Sequence, residues 1–203
     1  MRKVFRFALC FVLCAAFNAT QAQTPTASAA SNSADGMPIS TLIDTVANKS
    51  RKKMVVDPRV QAQVILVGQK TTDVSYGDFL SILGTYGFAA VENGGYVHVV
   101  PASSVRSMAV PAAASGKQYL DAEYVNKVIS IKSMPSAYLV PMLRPLLPQY
   151  AHLAALPCKN KMIVLDTYAN VKRLEALIEA LDVGAPYTPE PCSAPESSSK
   201  PER

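Results

Sequence analysis

Lys53-Met-Val-Val-Asp-Pro-Arg-Val60, followed by Tyr86-Gly-Phe-Ala-Ala-Val91, decides how the chain folds. Met54 to Val56 is a short extended run. Pro58 restricts Asp57 to extended geometry and opens a turn. Ala62 to Val67 reads as a strand, with Val64 and Leu66 on one face and Ile65 and Val67 on the other. Apolar residues on both faces predict burial on both sides or an edge covered by a partner. A helix follows. Ser75 can cap it, Asp78 puts a carboxylate in its first turn, and Phe79, Ile82, Leu83 and Tyr86 make its apolar face. Gly87 stops it. Phe88 to Glu92 and Tyr96 to Val100 then flank Asn93-Gly94-Gly95, a strong hairpin signal. Upstream, Pro38 suits a first helical turn. Ile39, Leu42, Ile43, Val46 and Ala47 recur on one face behind it. The ground plan is a small module of the βαββαβ type.

A second unit repeats the mixture. Val125 to Ile131 alternates as a strand. Pro135 opens a helix carrying Leu139, Val140, Leu143 and Leu146, with Pro141 inside it at a cost of about 3 kcal/mol unless the helix bends. Pro145 or Pro148 ends that helix. His152 to Leu156 and Lys161 to Leu165 are two more strands, joined by the polar loop Pro157-Cys-Lys-Asn160. Asp166 or Thr167 caps a last helix with Val171, Leu174, Leu177, Ile178 and Leu181 inward. The fold class is α+β, two small mixed modules. Their size makes each marginal alone, which favours mutual packing or assembly with partners.

Around these units the composition changes. Arg2, Lys3 and Arg6 precede an apolar run from Phe7 to Phe17, too short to span a bilayer, and Thr20-Gln-Ala22 offers a cleavage site. Residues 1–22 therefore read as a secretory signal peptide and 23–36 as a flexible leader. Residues 37–101 form the first domain, 102–120 an Ala-, Ser- and Pro-rich linker with little capacity to bury surface, 121–183 the second domain, and 184–203 a disordered tail. Cys14 invites a lipoprotein reading, but Leu13 stands where that motif wants a small residue. The mature chain has no membrane-spanning segment. Loss of the signal lowers the formal charge from +5 to +2, so the basic balance is weak grounds for a nucleic-acid partner. Cys158 and Cys192 remain in an oxidising compartment and can form one disulfide pinning the tail. His98 and His152 are in separate segments, and no Cys or His cluster has metal-ligand spacing.

The first module resembles the N-terminal domain of bacterial type II secretion secretins. Ile39-Ser-Thr-Leu-Ile-Asp-Thr-Val46, Lys53 to Val60 and Phe79-Leu-Ser-Ile-Leu-Gly-Thr-Tyr-Gly-Phe88 carry the likeness. The second is similar to the KH-like secretin repeat that follows it, through Val128 to Lys132, Leu143 to Leu147, Asn160 to Leu165 and Ala169 to Leu174. The resemblance runs from about Met37 to Val183. It implies a non-enzymatic periplasmic component of a type II-like secretion apparatus, associated with the outer-membrane secretin complex. Its partners would be a secretin or other secretion-system proteins, or further copies in a ring. The chain departs from the family in two places. No series of alternating strands for a pore follows the second module. Where the family places an apolar strand before its first helix, this chain has Ala29-Ala-Ser-Asn-Ser-Ala34.

No cofactor, metal or catalytic residue is expected. Asp57, Asp78, Asp121 and Glu123 read as turn, cap and surface carboxylates. Ser75 has no His partner, and no phosphate or dinucleotide fingerprint is present. The second module lacks the Gly-x-x-Gly loop with which KH domains clamp nucleic acid. The candidate protein-binding residues are Val64, Ile65, Leu66 and Val67, whose apolar run suits backbone pairing with a partner. An alternative is a periplasmic signalling module like the N-terminal domain of some iron transporters.

Overall fold

The structure, a computed structural model, describes residues 36–114 and 116–192. The expectations for the signal peptide, for the leader up to residue 35 including Ala29 to Ala34, and for the tail past Cys192 lie outside these residues.

The first module runs β1 (Met37–Pro38), α1 (Ile39–Ser50), β2 (Met54–Val56), β3 (Gln63–Val64), α2 (Tyr76–Thr85), β4 (Phe88–Asn93) and β5 (Tyr96–Pro101). Pro38 is the N-cap of α1, and Arg51 ends it in the left-handed region, φ 54°. Ser75 and Asp78 form a reciprocal capping box at α2, so both orphan donors there are satisfied. Gly94 and Gly95, with φ 61° and 79°, make the two-residue turn between β4 and β5. The sheet order is β2-β5-β4, with β2 parallel and β4 antiparallel to β5. Ile39, Leu42, Ile43 and Val46 meet Phe79, Leu80, Leu83, Val97 and Val99 in one core.

One strand expectation needs correction. Among the described residues α1 is preceded by the two-residue β1, paired antiparallel with β3 as Met37↔Val64 and Pro38↔Gln63. The Ala62 to Val67 strand shrinks to Gln63–Val64. At one end α1 begins at Ile39, whose N–H bonds the Ala62 carbonyl at 3.0 Å, and past Val64 the Ile65 N–H goes to the Tyr86 hydroxyl at 3.0 Å, outside the ladder.

The second module runs β6 (Tyr124–Ser130), α3 (Ser136–Leu143), β7 (His152–Leu156), β8 (Lys161–Thr167) and α4 (Tyr168–Leu181). The antiparallel sheet has the order β6-β8-β7. Val125, Ile129, Met162, Val164 and Leu153 turn to one face and pack on Leu139, Leu143, Val171, Leu174 and Ile178. Pro141 lies within α3, which gives way to a 3-10 turn at Arg144–Leu146. Thr167 is the cap residue of α4 without a side-chain bond; the Asp166 carboxylate takes the Thr167 N–H instead, at 2.7 Å. Asn160, left-handed at φ 48° and buried, ties the β6–α3 loop down. Its Oδ1 accepts from Ser136 N–H, and its Nδ2 donates to the Ile131 and Met134 carbonyls.

The segment 102–120 buries more than its composition predicts. Ala102–Ser107 is a 3-10 helix. Ala102, Val105 and Val110 pack on Ala89 and Val91 of β4 and on Tyr124 and Leu165 of the second module. The reason is that β4 is apolar on both faces, and its second face needs a cover. Residues 184–192, expected as part of a disordered tail, are also held. Tyr187 N–H bonds the Lys132 carbonyl at 2.7 Å, Ser133 Oγ bonds the Gly184 carbonyl at 3.2 Å, and Cys192 is joined to Cys158.

Replacing Asn160 with Ala leaves one N–H and two carbonyls without their partner. The expected loss is about 3 kcal/mol in urea unfolding, at roughly 1 kcal/mol or more for each orphaned group. Val105→Asp puts a carboxylate into the cluster between the modules, a cost of several kcal/mol that docking cannot absorb. The single thermal transition of the parent is expected to split into two; one surviving transition would show that the cluster does not couple the modules.

Candidate protein-contact surfaces

The residues that could carry acid–base chemistry are each engaged locally. Asp57 accepts from the Arg59 backbone and guanidinium, which pulls its carboxyl down to about 2. Asp78 is the cap partner of Ser75, and that hydrogen bonding lowers its pKa. Asp121 pairs with Lys172 at 2.7 Å, and Glu123 accepts the Leu120 N–H at 2.9 Å. Among the described residues no three His, Cys, Asp or Glu side chains group as metal ligands. No described helix is long and apolar enough to cross a membrane.

The four candidate residues divide. Val64 is 1% exposed and belongs to the first core. Leu66 is half-buried against that core, while Ile65 (52%) and Val67 (90%) face solvent. Beyond β3 the backbone is held by a side chain: Ile65 N–H donates to the Tyr86 hydroxyl at 3.0 Å. Gly36 lies so close to this strand that a Cβ there would meet Gln63 Cβ at 3.0 Å. Met37, Ile65, Leu66, Gln69, Lys70 and Thr71 line a shallow depression beside the exposed pair. The result is a short apolar lip next to an incomplete two-strand ribbon.

Lys49, Arg51, Lys52 and Lys53 cluster around the end of α1, and three of them are engaged. Lys49 donates to the Thr72 and Val74 carbonyls, and Lys52 pairs with Glu92 at 3.2 Å. Lys53 lies over the Tyr96 ring. On the face of the second module's sheet away from the helices, Tyr124 and Leu165 are covered by the first module, while Val128 and Ile163 are exposed. The register sets Val128, Ile163 and Ala154 in one row across β6, β8 and β7.

Sequence reasoning missed one buried ionisable group. Asp166 is fully buried between the modules' shared cluster and α4. Burial raises its pKa, against the opposing pull of the Thr167 N–H, the Asn170 amide, Arg173 and Arg144. Nearby, burial also raises the Tyr124 phenol, with Tyr150 and the Asp166 charge adding to it. Position 166 read as a helix cap, and no local pattern distinguishes an exposed cap from a buried one. Cys158 and Cys192 place their Cα atoms 4.9 Å apart.

A family model described as the GspD-like N0 domain matches residues 33–99. Over 142 residues the chain is 37% identical to secretin XcpQ of Pseudomonas aeruginosa, covering 69% of this chain and 21% of the relative. Secretin PulD of Klebsiella pneumoniae is 27% identical over 152 residues, 72% of this chain and 23% of the relative. Among solved structures, a chain of the Klebsiella pneumoniae type II secretion system outer membrane complex of PulD, PulS and the PulC HR domain superposes with a TM-score of 0.62 at 28% identity. That superposition covers 73% of this chain and 26% of the other. The chain thus spans about a fifth of the length of the curated relatives it matches.

The raised pKa of Asp166 has a readable consequence. A carboxyl that ionises less readily when folded contributes stability in full below its unfolded value, near 3.8, and loses it as the pH climbs through the folded value. Asp166→Asn removes that dependence. Urea melts are expected to show the variant gaining on the parent as pH rises from about 4 to about 7; a constant difference would mean that Asp166 ionises freely.

Proposed function

The chain carries the N-terminal domains of the type II secretins, a GspD-like N0 domain at residues 33–99 among them, and we propose that it serves as a non-enzymatic periplasmic component of a type II-like secretion apparatus. The observation that carries this reading is the length of the match. It runs through both modules with 37% identity to one secretin, not through a single motif. Its work is then to hold other polypeptides. A secretin, or another component of the apparatus, is the partner. The Klebsiella relative lies in a complex with PulS and the PulC HR domain, which makes proteins of those kinds the first to test. No nucleic acid enters this account, and neither does a cofactor.

The contact surface we assign is the lip beside β1 and β3. Ile65 and Val67 are exposed there while their neighbour Val64 anchors the strand in the core. An extended partner segment can add to a ribbon this short and cover both side chains at once. Exposed apolar residues of this kind contribute on the order of 1 to 2 kcal/mol each when buried. The exported, processed form would place this surface in the periplasm.

Pull-down from periplasmic extract of a cell with a type II apparatus is expected to recover a secretin or another component of that apparatus. Ile65→Asp and Val67→Asp should each reduce recovery about tenfold, the ratio that 1.4 kcal/mol represents, with unchanged circular dichroism. Val64 is unsuitable for this test because its replacement would disturb the core. Recovery of control partners but of no secretion component would overturn the assignment.

A further inference from the structure

Residues 184–192 are fastened to the second module without belonging to its core. None of them is buried, and the last residue of that core is Ile178. Among the described residues three links tie the segment down. Tyr187 N–H bonds the Lys132 carbonyl at 2.7 Å, Ser133 Oγ bonds the Gly184 carbonyl at 3.2 Å, and Cys192 is joined to Cys158. Its start is defined as well. The Asp182 carboxylate accepts the Lys132 and Ser133 N–H groups and pins the end of α4. Gly184 then turns the chain at φ 126°, a conformation that favours glycine.

The strap crosses two loops that are already joined from within. Lys132 and Ser133 lie between β6 and α3, and Cys158 lies in the 3-10 turn Pro157–Lys159 that connects β7 to β8. Asn160, from the same connection, bonds Ser136 N–H and the Ile131 and Met134 carbonyls in the interior. The inner tie is buried and made of hydrogen bonds. The outer tie is covalent and open to solvent: Cys192 is exposed, Cys158 is half-buried, and both border a surface depression with Pro157, Tyr187, Glu190 and Pro191.

The two sulfurs are unlike. Lys159, which forms no ion pair among the described residues, follows Cys158 directly, whereas Glu190 stands two residues before Cys192. A nearby cation favours a thiolate and a nearby carboxylate disfavours it. In thiol–disulfide exchange the more accessible sulfur is attacked more readily, and the more stable thiolate leaves faster. Both preferences point the same way, to attack at Cys192 and departure of Cys158.

We propose that Cys158–Cys192 is an exchangeable bond, a site for thiol–disulfide exchange with a dithiol, and that its opening releases residues 184–192 while the rest of the module stays folded. One thiolate of the dithiol bonds Cys192 Sγ, the S–S bond breaks, and Cys158 leaves with the electron pair. The second thiolate then attacks its own partner sulfur in the mixed disulfide, and Cys192 leaves. The dithiol is oxidised to a disulfide, and its two electrons and two protons pass to the cysteine pair. Two surface hydrogen bonds remain on the strap, too few to offset the freedom that the segment gains. Release ends at Asp182, whose bonds to Lys132 and Ser133 involve no strap residue. The device is independent of docking through Ile65 and Val67, which belongs to the other module.

Dithiothreitol added to the purified chain without denaturant tests it. Hydrogen exchange of the Tyr187 amide is expected to quicken by about tenfold or more, as for a segment that opens locally. The amides of Val125, Met162 and Val164 should stay protected, with circular dichroism unchanged and a lower urea midpoint. Cys192→Ser should show the same fast Tyr187 exchange with no reductant present. Brief exposure to reduced glutathione, quenched with acid and mapped by mass spectrometry, should place glutathione on Cys192 and leave Cys158 free. A bond that dithiothreitol reduces only once urea has unfolded the module overturns the proposal. So does reduction, or Cys192→Ser, that strips the core amides of protection, since the bond is then a structural staple only. A Cys192→Ser chain that keeps Tyr187 protected overturns the release, and glutathione found chiefly on Cys158 overturns the direction of attack.

Discussion

β4 is apolar on both faces, and covering its second face constrains the molecule. Phe88 and Ala90 point into the first core, while Ala89 and Val91 point away from it. Ala102, Val105 and Val110 close over that outer face together with Tyr124 and Leu165. The cluster is small, but each fully buried valine contributes about 1.5 to 3 kcal/mol. Modules of this size bury little by themselves. A shared cluster therefore stabilises each of them and fixes the orientation of one against the other.

Much of this was legible because its causes are local. The capping box at Ser75 and Asp78 is a four-residue pattern. The β4–β5 turn is decided by two consecutive glycines with positive φ. The faces of α1 and α4 follow from spacing alone. What failed was nonlocal. The run Ala62 to Val67 has the composition of a strand, but a strand extends only as far as its neighbour, and β1 offers two residues. The linker's Ala, Ser and Pro content concealed Val105 and Val110, two side chains whose value depends on what β4 presents to them.

The candidate contact surface divides in a way composition does not show. In the run from Val64 to Val67, inward and outward residues separate only once the ribbon's register is known. The Tyr86 hydroxyl that holds Ile65 carries no signal in sequence, since Tyr86 reads equally well as an apolar face residue. Asp166 and Asn160 were opaque for a related reason. Each is an ordinary turn or cap residue whose burial is set by elements distant in the chain. The cysteine pair left its connectivity open, because two thiols so far apart in sequence have no framework around them.

The strap formed by residues 184–192 returns the chain from the end of α4 to the β7–β8 connection. Asp182 accepts the Lys132 and Ser133 N–H groups just past α4, and Cys192 is fastened beside that connection. The bond closes a loop across a sequence separation of 34, which holds β8 and α4 entire. Cross-linking a loop of that length removes freedom chiefly from the unfolded chain, an effect of about 4 kcal/mol. For a module too small to bury much, the covalent tie supplies what a larger core would otherwise have to.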